Sequence, residues 1–270
     1  MGELNGKVAI VTGAGRRRSI GYSVALALAE LGADVVVTGS GRDPSTYPPD
    51  EKEIGWRDVE STADDIRATG SKAMTAVLDV TDENQVEATV KRTIDELGRV
   101  DILINNAAVA IGADRAPIVD VTPDVFQRVV DVKVRGMYLC SRAVVRALIE
   151  QGEGGKIVSV ASAAGKRGAA NALAYNAANF AVVGMTQSLA HELGTHHVNV
   201  NCVCPAAVDT ARMDKFGRDE QWDQMAANHP IGRAGTPEEV GAFMAYLCTE
   251  AASWIHGQSI NIDGGVVMEH

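Results

Sequence analysis

Short apolar runs at 7–12, 34–38, 73–78, 100–105, 156–161, 197–203 and 258–262 alternate with segments of helical periodicity at 19–31, 59–69, 82–97, 122–151, 175–194 and 237–248. Few folds accommodate that rhythm. A short continuous apolar run is buried on both faces, and successive parallel strands need a crossover between them, usually a helix. The order therefore predicts an α/β fold: one doubly wound, seven-stranded parallel sheet with helices on both faces and ligands at the carboxyl ends of its strands. Only 4% of residues are aromatic, while Ala, Val and Gly abound, which lets helices pack closely on the sheet. With 270 residues and no repeat or low-complexity linker, one domain over 1–270 is the economical reading.

Charge and composition exclude several functions. A net charge of −10 argues against nonspecific nucleic-acid binding, although a local basic patch can still hold a phosphate. Cys140, Cys202, Cys204 and Cys248 form no CxxC pair, so buried structural roles are expected. The six histidines show no metal-ligand spacing, and no metal is expected. No apolar run approaches membrane-spanning length, and Lys7–Val11 already reads as a strand rather than a leader. A soluble, cytoplasmic protein is expected.

Two segments interrupt the alternation. Residues 39–58, rich in Pro, Gly and charge, read as an inserted surface loop. Residues 206–232 place Met213, Phe216, Trp222 and Met225 among charges, a pattern that predicts one or two amphipathic helices forming a lid over substrate.

The run Val8–Gly21 passes from strand to glycine-rich turn to helix. There, backbone amides and a helix N-terminus suit a pyrophosphate. A lone glycine motif is weak evidence, but its place after the first strand makes it strong. Arg16, Arg17 and Arg18 add cations to this turn. A site for NAD usually has an acid at the end of the second strand, and Val35–Arg42 offers none at that point. Arg42 and Arg18 can instead face a 2′-phosphate. NADP(H) is the expected cofactor, with NAD the alternative that Asp43 and the insertion could favour.

Thr12-Gly13-Ala14-Gly15, Asn105-Asn106-Ala107-Ala108, and Ser162 thirteen residues before Tyr175 together resemble the short-chain dehydrogenase/reductase family. The resemblance covers nearly the whole chain except 41–58. It implies a Rossmann-type domain and a dinucleotide held by Gly13, Gly15, Arg18, Ser19, Ile20, Gly21 and Arg42. It also implies contacts from Asp79, Val80, Asn106, Ala107, Ala108, Tyr175, Pro205, Val208 and Thr210, with Asn105 bracing the central strands. There are departures: Ser19-Ile20-Gly21 stands where the family has Gly-x-Gly, the turn is two residues longer, and Ala206 replaces a glycine.

The catalytic signature also departs. The family's tyrosine is usually followed four residues later by lysine, and here Asn179 stands there; Lys133 occupies the position of the family's asparagine on the preceding helix. Two reciprocal substitutions imply that the ammonium has moved to a neighbouring helix, an arrangement similar to the ketoreductase domains of polyketide synthases. The implied roles are Tyr175 as general acid/base, Ser162 as donor to the carbonyl oxygen, Lys133 as the activating ammonium and Asn179 as a polar brace.

The expected function is hydride transfer between NADP(H) and a small-molecule carbonyl or secondary alcohol. The rival is a catalytically silent dinucleotide-binding sensor or scaffold, and retention of both Ser162 and Tyr175 favours the enzyme. The resemblance further implies a homo-oligomer, tetramer or dimer, paired through helices 122–151 and 175–194.

Overall fold

The computed structural model describes residues 2–268, the side chain of Gln221 excepted. All seven expected strands form: β1 Val8–Val11, β2 Asp34–Gly39, β3 Ala73–Val77, β4 Ile102–Asn105, β5 Gly155–Val160, β6 Val198–Pro205 and β7 Ser259–Ile262. They make one parallel sheet in the order β3-β2-β1-β4-β5-β6-β7. Side-chain alternation feeds two cores. Ala9 and Val11 of β1 join one hydrophobic cluster, while Val8 and Ile10 join the other. Ile102 and Ile104 of β4 likewise face the first cluster, and Leu103 the second.

Helices cover both faces. The first cluster is closed by α1 Ile20–Glu30, while α2 Pro49–Glu53 lies in the insertion and α3 Val59–Ala68 returns to the first cluster. The second is closed by α4 Glu83–Leu97, α6 Gly136–Gln151 and the end of α7 Leu173–Leu193, while α5 Pro123–Val130 packs against the start of α7. The chain ends with α8 Glu220–Ala227 and α9 Pro237–Tyr246. A capping box at Thr236 and Glu239, with Pro237 first, starts α9. Among the described residues no helix is long and apolar enough to cross a membrane.

The expected helix at 122–151 is interrupted by a π-helical turn at Asp131–Arg135. Such a turn carries one residue more than an α-turn and is frequent at functional sites. Lys133 sits inside it and is buried.

Beside β1 and β4 the connections leave to opposite faces, so a crevice opens between their carboxyl ends. Asn105 braces it, donating to Ser141 (3.2 Å) and Ser159 (3.3 Å). Elsewhere small residues set the layer spacing: a Cβ at Gly241 of α9 would lie 2.7 Å from the backbone of Ser23 in α1. Gly241→Ala should therefore lose about 1–3 kcal/mol in chemical denaturation, as overpacked sites do. Gly184→Ala, whose Cβ meets open space on α7, should hold or gain stability in the same experiment.

Candidate active site

A cleft of about 1030 Å³ opens along the carboxyl ends of the strands. Gly13, Gly15, Arg18, Ser19, Ile20, Arg42, Asp79, Val80, Asn106, Ala107 and Ala108 line it, as do Ser162, Tyr175, Pro205, Val208 and Thr210. Gly21 lies behind it instead: a Cβ there would meet Asn106 Nδ2 at 2.5 Å, so this glycine lets α1 press against the turn. Asn106 is a brace as well as a wall, donating from Nδ2 to the carbonyls of Thr12 and Gly13, both at 2.9 Å. Asp79 accepts from the amide and hydroxyl of Thr81, which hold its carboxyl below the usual range.

At the head of α1, Ser19 replaces the expected glycine with a cap. Its hydroxyl accepts from the Tyr22 amide and donates to the Arg16 carbonyl at 2.7 Å. The carbonyls of Ala14 and Gly15 are also taken by side chains, Thr62 at 2.9 Å and Trp56 at 2.7 Å. Arg16 donates no hydrogen bond and forms no ion pair with any described residue. Burial, and then the charge of Arg42, pull its pKa below the ordinary arginine value.

The insertion lies largely at the surface but carries more structure than a surface loop. It folds through a short 3₁₀ turn, Pro44–Thr46, and α2, and it buries Tyr47, Glu51, Trp56 and Asp58. Glu51 explains this: fully buried, it accepts from the Arg17 amide (2.9 Å) and from Arg42 (3.1 Å). Arg42 also reaches Asp58 and the Gly15 carbonyl, both at 3.2 Å, and its guanidinium lies 4.5 Å from the Tyr47 ring centre. Asp58 holds φ at 55°, rare for a residue with a side chain, and fills the space a side chain at Gly15 would need.

At the other end of the cleft, Ser162 follows β5, accepts from the Ala164 amide (3.2 Å) and lies 3.4 Å from the Pro205 carbonyl. Tyr175 stands in the first turn of α7. One turn on, Asn179 donates back to the Tyr175 carbonyl at 2.8 Å, and its Oδ1 is buried without a partner. Lys133 lines the same cleft, but its ammonium is seated on the Val160 carbonyl at 2.5 Å rather than on Tyr175. Burial, reinforced by Arg212, lowers its pKa to about 7. The cations against the Tyr175 ring are two arginines that sequence reasoning missed: Arg115 at 3.7 Å from the ring centre and Arg212 at 5.5 Å.

The family described as Enoyl-(Acyl carrier protein) reductase matches residues 13–267. Galactitol 2-dehydrogenase of Agrobacterium fabrum is 34% identical over 272 residues, spanning 97% of this chain and 98% of its own. Carveol dehydrogenase from Mycobacterium avium, solved in complex with NAD, superposes with a TM-score of 0.89 at 26% identity over 100% of both chains. A structure described as an NAD(P)-dependent gluconate 5-dehydrogenase from Beutenbergia cavernae, with NADP at low occupancy, gives 0.84 at 32% identity over 97% of each. The chain belongs to the short-chain dehydrogenase/reductase family.

In this member the segment expected as a lid forms a 3₁₀ helix, Ala211–Phe216, followed by α8. Buried His229 pins its far end, accepting from the Ala207 amide at Nε2 while Nδ1 lies 3.0 Å from the Met225 carbonyl. Arg18 joins the segment to the insertion, pairing with Asp50 at 2.9 Å and with Asp214 at 2.5 Å. Arg218 adds pairs to Asp209 and Asp214. Arg18→Ala should speed amide hydrogen exchange in both 44–53 and 211–227, by about fivefold for each 1 kcal/mol lost. Unchanged exchange in either segment would show that Arg18 does not join them.

Proposed function

We propose that the chain is an NAD(P)(H)-dependent dehydrogenase or reductase acting on a secondary alcohol or its carbonyl. The observation that carries this reading is that Ser162, Tyr175 and Lys133 line one cleft with the glycine turn. The half-buried Arg16 guanidinium beside that turn, which makes no hydrogen bond or ion pair with the described residues, fits a dinucleotide diphosphate, since a partly desolvated cation gains from an anion. The family relatives solved with NAD and NADP support the same cofactor class. When bound, the nicotinamide supplies or accepts the hydride.

This chain's residues would manage the proton. Ser162 would hold the substrate oxygen by hydrogen bond while Tyr175 gives it a proton in reduction or takes one in oxidation. Lys133 has two N–H donors beyond the one used by Val160, enough to pass a proton within the cleft. With its pKa lowered to about 7, Lys133 is an ammonium below that pH and neutral above it. Reduction, which consumes a proton, should therefore slow as pH rises through about 7, and Lys133→Met should remove that limb and cut turnover about 10²-fold. Tyr175→Phe should lose at least as much while dinucleotide binding persists. Lys133→Asn with Asn179→Lys should recover more turnover than either single change. Full turnover with an unchanged pH profile in Lys133→Met would sink the role of the ammonium.

Of the two dinucleotides, the geometry favours NAD(H). Arg18 and Arg42, the cations that the expectation of NADP(H) sets against a 2′-phosphate, are both engaged by carboxylates of the insertion and the 206–232 segment. Asp58 and Glu51 also place negative charge where a 2′-phosphate would seek Arg42. Steady-state kinetics should give a kcat/KM for NAD(H) at least about tenfold above that for NADP(H). Glu51→Gln with Asp58→Asn should narrow that ratio, and preference for NADP(H) in the unaltered protein would refute the assignment. We also propose a homo-oligomer through α6 and α7, where exposed Tyr138 and Phe180 offer apolar surface for a second copy.

A further inference from the structure

The cleft wall is charged in an uneven way. Its carboxylates, Asp58 and Asp79, both lie toward the adenosine end, in the insertion and after β3. Toward Tyr175 the charged residues that line the cleft are cations: Arg115 and Arg212 against the ring, with Lys133 and Lys215. This concentration occurs in a protein whose net charge is −10, so it is not a sample of the average surface.

The two arginines differ in how they are held. Arg115 is fixed from behind by buried Asp114, whose Oδ2 accepts from Nε at 3.2 Å and whose Oδ1 accepts from the Gly112 amide at 2.9 Å. That leaves the outer edge of its guanidinium uncommitted. Half-buried Arg212 donates no hydrogen bond and forms no ion pair with any described residue; its one partner is the Tyr175 ring. Burial, with Arg115 as a like-charged neighbour, lowers its pKa. Among the described residues Asp114, behind Arg115, is the one carboxylate that acts on both guanidiniums, so two positive charges stand against one negative charge beside the cleft and remain in part mutually repulsive and poorly solvated. Both lie against the ring of the residue that would exchange the substrate's proton.

We propose that Arg115 and Arg212 form an anion clamp that selects a substrate bearing a carboxylate near the reacting carbonyl or alcohol, a hydroxy or oxo acid. The inference rests on the dehydrogenase reading of this site. A planar carboxylate suits guanidinium forks and would remove the like-charge conflict between them. It would also fix the distance between the charged group and the carbon facing Tyr175, which makes the pair a determinant of specificity. A lysine in either place would keep the charge but lose the fork.

The test uses Tyr175→Phe, which keeps the ring and stops turnover, loaded with NAD⁺. Calorimetry would compare 3-hydroxybutyrate, 5-hydroxyhexanoate and 4-hydroxycyclohexanecarboxylate with their methyl esters. At least one acid should bind roughly tenfold or more tightly than its ester, and Arg212→Ala or Arg115→Ala should erase that preference. Esters binding as well as every acid, no binding of any acid, or a preference that survives both alanine variants would overturn the clamp. So would an Arg212→Ala variant that loses dinucleotide affinity but keeps the acid preference, since the guanidinium would then serve the cofactor's diphosphate. Failure of the dehydrogenase reading looks different: acids bind selectively, yet the protein with Tyr175 intact transfers hydride to no oxo acid or neutral ketone.

Discussion

Burying a parallel sheet on both faces confines polar chemistry to the ends of its strands, and the divergence at β1 and β4 decides which end is open. Because α1 crosses to one core and α6 to the other, the two connections part and leave a crevice between them. That crevice holds its shape only if the strand ends beside it cannot splay. Asn105 ties β4 to β5 through Ser159 and to α6 through Ser141, and Asn106 ties the following turn back to Thr12 and Gly13. The ties to Ser141, Ser159 and Thr12 are buried or part-buried, so their loss would leave partners unsatisfied, which is why short side chains can control so large a cleft.

Charge is then distributed along the cleft in two different ways. At the glycine turn, Arg42 is neutralised from within the chain by Glu51 and Asp58, and the carbonyls of the turn are already accepting from Trp56, Thr62 and Ser19. The turn is thus finished as a structure before any ligand arrives, and Arg16 is the cation left over for one. Near Tyr175 the balance is reversed, because only Asp114 opposes Arg115 and nothing among the described residues pairs with Arg212. A site completed internally at one end and left positive at the other suits a cofactor that brings its own phosphates and a substrate that brings an anion.

The strands and most helices were legible because their signal is local: a period of two or an apolar run marks a strand, and an apolar stripe marks a helix. The glycine turn, Asn105, Ser162 and Tyr175 were legible because each sits at a fixed place relative to a strand end. What was not legible depends on distant partners. Nothing within 39–58 reveals that Glu51 meets the Arg17 amide, although two aromatics there, Tyr47 and Trp56, are out of character for a solvated loop in an aromatic-poor chain. The π-helical turn at Lys133 is not legible in the sequence, since whether a helix takes up one extra residue depends on what packs around it. Arg115 stands in an irregular connection and Arg212 in a short 3₁₀ helix, where the sequence pattern gives no direction for a side chain.

The insertion and the 206–232 segment, far apart in the sequence, both pair with Arg18. Each pair is about one-third exposed, so solvent screens it and neither contributes more than about 1 kcal/mol. That weakness matters for a cleft that must admit a dinucleotide between the same two segments. A strong buried pair would hold the entrance shut, whereas several screened pairs can part in turn and re-form. Arg18 also stands beside Ser19, the cap of α1, and its carbonyl accepts from the Ala211 amide at 2.8 Å. The segment that begins at Ala211 is therefore joined directly to the helix end on which a diphosphate would rest.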